Sequence, residues 1–304
     1  MNKITFIIPT KDRPKQLCKC MRSLSIQAKY VDEVIVVASG TDVKKTVLKF
    51  SDRMNVQYIH SNIHGQVVQR NIGINRIANS VKLVGFLDDD IILYPDALKK
   101  MISFWKNTNQ NTAGVGFNLI NSEQNPHPTL YHLLKKVTNS EPGSVNRFGI
   151  SIPINNISCN IRTQFLGGGY TIWKRDILMK YSHENIYTRW AQGEDLRFSY
   201  PISKQYPLYV CADSKVYEEN EQIIDKNVKT ILYQARITAL SQLYFTSLYK
   251  ELSTTLAIFL LIARMFVNFI TPQRQFYGLG QLNAISQFLK HKISSNNLLD
   301  LLND

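Results

Sequence analysis

Short apolar β-runs alternate with amphipathic helical segments over the first ninety or so residues, and this alternation limits the fold more than any other feature. The predicted strands are rich in β-branched residues and lie at Ile4–Ile8, Val34–Val37, Val56–Ile59 and Val81–Leu87. The segments between them carry one apolar face and predict helices at Lys15–Gln27, Asp42–Phe50 and Gly65–Ala78. This order predicts an α/β protein with a mainly parallel sheet joined by right-handed crossovers. No G-x-G-x-x-G follows the first strand, so the dinucleotide-binding fingerprint is absent.

The middle of the chain is less regular. After a helix at Ala97–Trp105 and a strand at Gly114–Ile120, residues 121–162 turn polar, with a short helix predicted only at Tyr131–Val137. A long irregular segment inside a compact domain is typical of a lid or a binding loop. The run Gly167-Gly168-Gly169 indicates a place where the backbone approaches another group closely. Further elements are predicted at Arg175–Tyr181 (helix), from Gly193 to about Ser203 (helix) and at Leu208–Cys211 (strand).

Three consecutive carboxylates, Asp88, Asp89 and Asp90, follow the apolar strand that ends at Leu87. In open α/β sheets, ligands bind at the carboxyl ends of the strands. Alternate residues of an extended chain point the same way, so Asp88 and Asp90 can face one ligand while Asp89 turns aside. Hard oxygen ligands suit Mg²⁺ or Mn²⁺, which then bridge to phosphate oxygens. The alternatives are a solvated acidic loop or a helix N-terminus enriched in acids.

The C-terminal region has a different character and sets the predicted domain boundary. Residues 1–221 are predicted to form the α/β domain, with a first half at 1–110 and a second half at 111–221, and residues 222–304 a helical extension. Helices are predicted at Tyr233–Tyr249, Thr254–Phe269 and Gln281–Leu289. The apolar part of the middle helix spans about fifteen residues and contains Arg264. This segment is too short to cross a bilayer, which takes ~20 residues. The extension is either a cap on the sheet or an interfacial helix on an anionic membrane surface.

The amino-acid composition limits which kinds of binding partner and which cellular compartment are expected. The net charge of +13 indicates an anionic partner, and because no RNA-binding, zinc-finger or helix-turn-helix signature accompanies it, nucleic acid is not expected. The four cysteines lack metal-ligand spacing, which favours reduced thiols in the cytoplasm. The N-terminus reads as a strand and not as a signal peptide.

Polar residues elsewhere in the chain could act together with the acidic triplet in phosphate binding and proton transfer. Arg13, Arg70 and Asn71 fall at or near the amino ends of two predicted helices, where guanidinium groups and backbone donors suit phosphate. Glu194 and Asp195 open a helix in the second half of the domain. A cation that neutralises a departing diphosphate, opposite a carboxylate that takes a proton from a hydroxyl, is the minimal set for group transfer from an activated nucleotide. Glu194 and Asp195 could instead be simple partners of the helix dipole.

These residues, in this order and spacing, resemble the family-2 glycosyltransferases of GT-A fold over roughly residues 3–220. The resemblance rests on Ile7-Ile8-Pro9-Thr10 with Arg13, on Gln69-Arg70-Asn71, on Phe86–Asp90 as a D-x-D element, on the glycine run followed by Trp173-Lys174-Arg175, and on Gly193-Glu194-Asp195. It implies an inverting transferase that uses a nucleotide-diphosphate sugar. Asp195 would be the base, with Glu194 as support or rival.

The resemblance also implies roles for the remaining candidate residues. Asp90 would bind Mn²⁺ or Mg²⁺, with Asp88 and Glu218 as further ligands. The donor pocket would include these residues: Pro9, Thr10, Arg13, Ser39, Arg70, Asn71, Asp88 and Asp89. Trp190, Gly168 and Gly169 would face the acceptor.

Three positions depart from the family pattern. Ala38-Ser39 stand where an acid often reads the nucleobase, Tyr217-Glu218 where many relatives have a histidine, and Arg197 where an acid is common. The expected donor is of UDP or dTDP type, and the acceptor a glycan or a lipid-linked sugar. The expected setting is bacterial surface-polysaccharide synthesis at the inner face of the membrane. The alternatives are a sugar nucleotidyltransferase and a non-catalytic module that binds sugar nucleotides or glycans.

Overall fold

The computed structural model describes residues 3–121, 141–184, 191–219 and 227–294. Within them the first ninety residues form the predicted alternation. The strands are β1 (Ile4–Lys11), β2 (Val31–Ser39), β3 (Val56–His60) and β4 (Leu83–Leu87), and the helices are α1 (Pro14–Ser25), α2 (Lys44–Leu48) and α3 (Gln66–Ile74), with a 3₁₀ turn at Ala28–Tyr30. β1 pairs in parallel with both β2 and β4, and β2 pairs in parallel with β3. The predicted parallel half-sheet is confirmed.

The second half adds strands of both directions to the same sheet. Its elements are β5 (Ile91–Leu93), α4 (Ala97–Asn107), β6 (Gly114–Leu119), β7 (Ile161–Thr163), β8 (Tyr170–Lys174), α5 (Arg175–Lys180), α6 (Glu194–Ser203) and β9 (Leu208–Glu218). The described strands follow the order β3-β2-β1-β4-β8-β6-β9-β5, and β7 pairs with β9. β8 is antiparallel to β4 and to β6, so the sheet is mixed beyond β4.

Several short elements differ from the sequence expectation. β5, β7 and β8 were not predicted as strands, because runs of three to five residues give little periodicity. β9 runs to Glu218 and not to Cys211, since its outer part alternates buried and exposed side chains. The helix predicted at Tyr131–Val137 lies outside the described residues.

Two apolar layers cover the faces of the sheet. Alternate side chains of β1 divide between them: Ile4, Phe6 and Ile8 join one cluster, and Ile7 joins the other. The first cluster includes residues of α1 and α4, and the second includes residues of α5 and α6. Because side chains of a strand alternate at period two, a sheet covered on both faces requires strands that are apolar throughout. The burial of β1 and β4 follows this rule.

The chain divides into two compact units, of which the first holds the sheet with α1–α6. The second contains α7 (Val228–Leu248), α8 (Thr254–Ile270) and α9 (Gln275–Ser294). It also includes residues 145–152, which the predicted boundary at residue 221 assigned to the α/β domain. Asn227 and Ser253 cap α7 and α8 through their side-chain oxygens, and Leu240, Leu243, Leu261 and Phe288 form the centre of the helical core. No described helix is long and apolar enough to cross a bilayer.

Candidate active site

Asp88 stands at the carboxyl end of β4, where the parallel half of the sheet meets the antiparallel β8. Its backbone N–H donates to the carbonyl of Gly169 over 2.8 Å. Its Oδ1 accepts hydrogen bonds from Gln66 Nε2 at 2.6 Å and from Arg70 Nη2 at 2.8 Å, both on α3. The side chain is 30% exposed, so the carboxylate is held by two donors and still reaches solvent.

Arg70 connects this carboxylate to the acidic pair on α6. Its side chain is only 1% exposed, and Nη1 donates to Glu194 Oε1 while Nη2 donates to Asp88. Burial alone would lower the pKa of Arg70, but the charges of Glu194 and Asp88 more than offset it and raise the pKa above its usual value. One buried guanidinium therefore binds an acid from each of the two predicted motifs.

Glu194 is held as a carboxylate from both sides. Besides Arg70, it contacts His183, whose Nδ1 lies 3.1 Å from Glu194 Oε2. The His183 ring stacks on Phe198, with ring centroids 3.8 Å apart. Although burial opposes ionisation, the charge of Arg70 and the hydrogen bond from His183 lower the pKa of Glu194 to about 2. A group that stays ionised this firmly serves better as an anchor than as a proton acceptor.

Asp195 has the opposite electrostatic setting. Burial, and next the negative charge of Glu194, raise its pKa to about 6. The side chain is partly exposed and lines a cavity of about 160 Å³ together with Gly167 and Tyr170. A carboxylate with a pKa near neutrality on a cavity wall matches what proton abstraction requires.

Asp89 and Asp90 meet the amino end of α1. Thr10 Oγ1 donates to Asp89 at 2.6 Å, and Arg13 Nη1 donates to Asp89 at 3.1 Å and to Asp90 at 2.7 Å. Burial is the main cause that raises the pKa of Asp89 to about 6. Burial, followed by the charge of Asp88, also raises the pKa of Asp90.

The two glycines assigned to the acceptor lie against this charged network. A Cβ on Gly168 would come within 2.7 Å of both Arg70 Nη1 and Glu194 Oε1. A Cβ on Gly169 would lie 2.0 Å from Asp88 Oδ2. Both positions exclude a side chain because the backbone of the loop before β8 packs directly on the carboxylates and the guanidinium that binds them.

The other predicted residues occupy varied positions. Pro9 is buried within β1, and Ser39 is buried at the end of β2 with no hydrogen-bond partner for its Oγ in the described part of the chain. Asn71 Nδ2 donates to the His183 carbonyl at 3.3 Å. Glu218 ends β9, pairs with Ile91, and exchanges two backbone hydrogen bonds with the Asn121 side chain. Trp190 lies outside the described residues.

Asp88 and Asp90 suit a divalent metal ion by their chemistry. The negative charge of Asp88 helps to raise the pKa of Asp90, and a shared cation would relieve this repulsion. The described residues contain no cluster of three or more His, Cys, Asp or Glu arranged to hold an ion. Mg²⁺ is commonly held by one or two carboxylates, with phosphate oxygens and water as the other ligands, and the two aspartates fit that mode.

Sequence reasoning missed three residues of the site. Tyr170 is surrounded by acids, since Asp195, Glu218 and Asp88 all add to the effect of burial in raising its pKa. Gln66 donates a hydrogen bond to Asp88, and His183 contacts Glu194. An aromatic residue directly after the glycine run was the one available signal for Tyr170, and nothing local marks the other two.

This fold, with Asp88 at the end of β4 bound through Arg70 to Glu194 on α6, defines a GT-A-type protein. Residues 5–182 match the family model described as "Glycosyl transferase family 2". The chain belongs to glycosyl transferase family 2.

Solved structures and curated relatives agree with this assignment. A mannosyltransferase of Pyrobaculum calidifontis, in complex with GDP-Man and Mn²⁺, matches with TM-score 0.57 and 13% identity over 99% of this chain and 78% of its own. S. aureus TarS 1–349 with UDP-GlcNAc matches with TM-score 0.54 and 17% identity over 95% of this chain and 81% of its own. Uncharacterised glycosyltransferases of Rickettsia conorii and Rickettsia bellii are 24% and 28% identical over 123 residues, which is 40% of this chain and 20% and 18% of theirs. The chain thus matches only about a fifth of these relatives.

Proposed function

We propose that the protein is an inverting glycosyltransferase that moves a sugar from a nucleotide diphosphate to a hydroxyl acceptor. The observation that carries the proposal is that Arg70 binds both Asp88 and Glu194, a set of contacts called the Arg70 bridge below. Asp88 lies where we expect the donor to bind, and Glu194 is next to Asp195, so the bridge holds the two halves of the candidate site together. Family membership and the nucleotide sugars bound by two structural neighbours support the same reaction class.

The residues divide the reaction between them. Asp195 takes the proton of the acceptor hydroxyl, whose oxygen then forms a bond to the anomeric carbon of the sugar. The bond between that carbon and the diphosphate oxygen breaks from the opposite face, and the nucleoside diphosphate leaves with the electron pair. Arg13, which is half-exposed beside Asp90, would neutralise charge on the departing diphosphate, while Arg70 keeps Glu194 ionised and Asp88 in place. Mn²⁺ or Mg²⁺ bound at Asp88 and Asp90 would supply further charge stabilisation of the leaving group.

The finer assignments are part of the same proposal. We expect a donor of UDP or dTDP type and a glycan or lipid-linked acceptor in bacterial surface-polysaccharide synthesis, with the protein in the cytoplasm and peripheral to the inner face of the membrane. The basic net charge of +13 supports an anionic donor and an anionic surface.

A thermal-shift panel of UDP-, dTDP- and GDP-sugars, with Mn²⁺ or with chelator, tests the donor and the metal together. At 100 times its Kd, a specific donor should stabilise the fold by about 2.7 kcal/mol. We expect this gain with Mn²⁺, its loss with chelator, and its loss in Asp90→Asn. Turnover that survives chelator would contradict the metal role, and specific donor binding without turnover on any acceptor would favour a non-catalytic module.

A further inference from the structure

Helix α8 presents a continuous apolar stripe to solvent. Phe259, Phe266 and Ile270 are separated by seven and four residues, which places them on one helical face, and they are 64%, 61% and 82% exposed. Exposed Ala263 lies between them on the same face, and exposed Val267 lies beside it. Soluble proteins rarely leave contiguous apolar surface of this kind without a function.

The opposite side of α8 already forms the core of the helical unit. Ala257, Leu260 and Leu261 are buried. Asn268 is buried as well, and its Nδ2 donates to Gln281 Oε1 of α9 at 3.1 Å. The inner face therefore packs into the core of the helical unit, and the outer stripe is not part of that core. Helix α9 shows a similar exposed set at Leu279, Leu282 and Leu289.

Positive charge predominates in the described part of the helical unit. Residues 227–294 contain seven lysines and arginines and a single acid, Glu251. Arg264, within α8 itself, has no carboxylate partner among the described residues, and burial lowers its pKa. Such a surface attracts an anionic partner, and it disfavours a second copy of the same unit because the two positive surfaces would repel each other.

We propose that α8 is a membrane-surface helix, whose stripe from Phe259 to Ile270 enters the boundary between headgroups and acyl chains of an anionic bilayer. Its 17 residues lie in the plane of the membrane. The lysines and arginines of α7–α9 meet lipid phosphates at the surface. This binding is independent of sugar transfer and persists in protein without donor.

Vesicle flotation of the full chain tests the proposal. The wild-type protein should float with vesicles of phosphatidylcholine and phosphatidylglycerol, float much less with phosphatidylcholine alone, and be released as salt is raised. The double variant Phe259→Ser/Phe266→Ser should lose at least about tenfold in partitioning, because two large apolar side chains no longer enter the lipid. Lys229→Gln/Lys250→Gln should weaken binding to anionic vesicles only.

A matched control removes the same number of exposed apolar side chains from the sheet unit. Leu48 and Met179 are each 47% exposed, and Leu48→Ser/Met179→Ser should float as the wild type does. Circular dichroism and a donor thermal shift confirm that all variants fold, so lost flotation is separable from lost donor binding. Absence of wild-type flotation, or equal loss in the control, would overturn the proposal. A wild-type dimer in sedimentation that the phenylalanine variant dissociates would also overturn it, because a second copy would then cover the stripe.

Discussion

At the scale of single residues, the site separates two adjacent acids by their surroundings. Glu194 is fixed as an anion by Arg70 and His183, whereas Asp195 is left with burial and the repulsion of its neighbour. Sequence alone left open which of the two is the base. Under the proposed function, the opposite shifts in pKa favour Asp195 as the base and Glu194 as an anchor.

Asp195→Asn should reduce kcat for transfer by about 10²–10⁴, because the acceptor hydroxyl loses its proton acceptor while the shape of the side chain is kept. Donor affinity, measured by calorimetry, should stay within about twofold. Loss of donor binding in parallel with turnover would mean that Asp195 supports the structure instead.

The pH dependence of transfer follows from the same group. Since the base must be ionised and the pKa of Asp195 is raised to about 6, the rate should fall as pH decreases through about 6 and level off above it. A series of initial rates at saturating donor from pH 4.5 to 8 measures this. A flat profile down to pH 4.5 would argue against Asp195 as the base.

Arg70→Met should destabilise the fold by about 3–5 kcal/mol, because Asp88 and Glu194 lose their shared cation and Glu194 is buried. Arg13→Met should cost less than this, because the Arg13 guanidinium is 49% exposed and solvent screens its pairs with Asp89 and Asp90. Urea unfolding of the two variants gives the comparison. Equal costs would indicate that the contacts of Arg70 with Asp88 and Glu194 are no stronger than those of the half-exposed Arg13.

At the scale of elements, the loop before β8 matters because it passes over the end of β4. Gly168 and Gly169 were predicted to contact the acceptor, and the structure shows that their lack of a side chain accommodates Arg70, Glu194 and Asp88. The need for close approach was readable from the glycine run. The identity of the approached groups was not, because it depends on the pairing of β8 with β4, a contact between distant segments.

Gly169→Ala should impair donor-dependent activity by at least about tenfold, since the new methyl group would displace the Asp88 carboxylate. Gly278→Ala, in α9, is the control. A Cβ at this position would lie 3.2 Å from the Phe269 ring, and alanine stabilises a helix by about 1 kcal/mol relative to glycine. Steady-state kinetics with donor titration compare the activity of the two variants. Normal activity in Gly169→Ala would show that the loop can move away without cost.

The elements that sequence predicted well are those with their own periodicity. The strands and helices up to β4, and the helices α7 and α8, needed only the spacing of apolar residues, whereas the same spacing predicted only Gln281–Leu289 of α9. The antiparallel strands β5, β7 and β8 are short, and their places in the sheet are set by partners far along the chain. His183 and Gln66 could not be predicted for the same reason, since each joins the site through a contact with a distant residue and neither belongs to a sequence motif.

At the scale of the whole molecule, each of the two units has its own apolar core. The sheet unit has a cluster on either face, and the helical unit has a separate one around Leu240, Leu243 and Phe288. Each unit thus has the separate apolar core that is typical of a domain.

Leu243 is fully buried on α7, and Leu248 on the same helix is 45% exposed. Leu243→Ala should lower the free energy of unfolding by about 2–5 kcal/mol, and Leu248→Ala by no more than about 0.5 kcal/mol. Chemical denaturation of the full chain, followed by circular dichroism, measures both. Similar losses would contradict the separate helical core.

The buried guanidinium of Arg70 has a consequence for how this protein can change over generations. Asp88 and Glu194 are 106 positions apart in the chain, yet replacing either one leaves the buried Arg70 with only one of its two acidic partners. Their substitution effects should therefore be strongly non-additive. Lineages of this chain are expected to keep both acids or to exchange all three partners together.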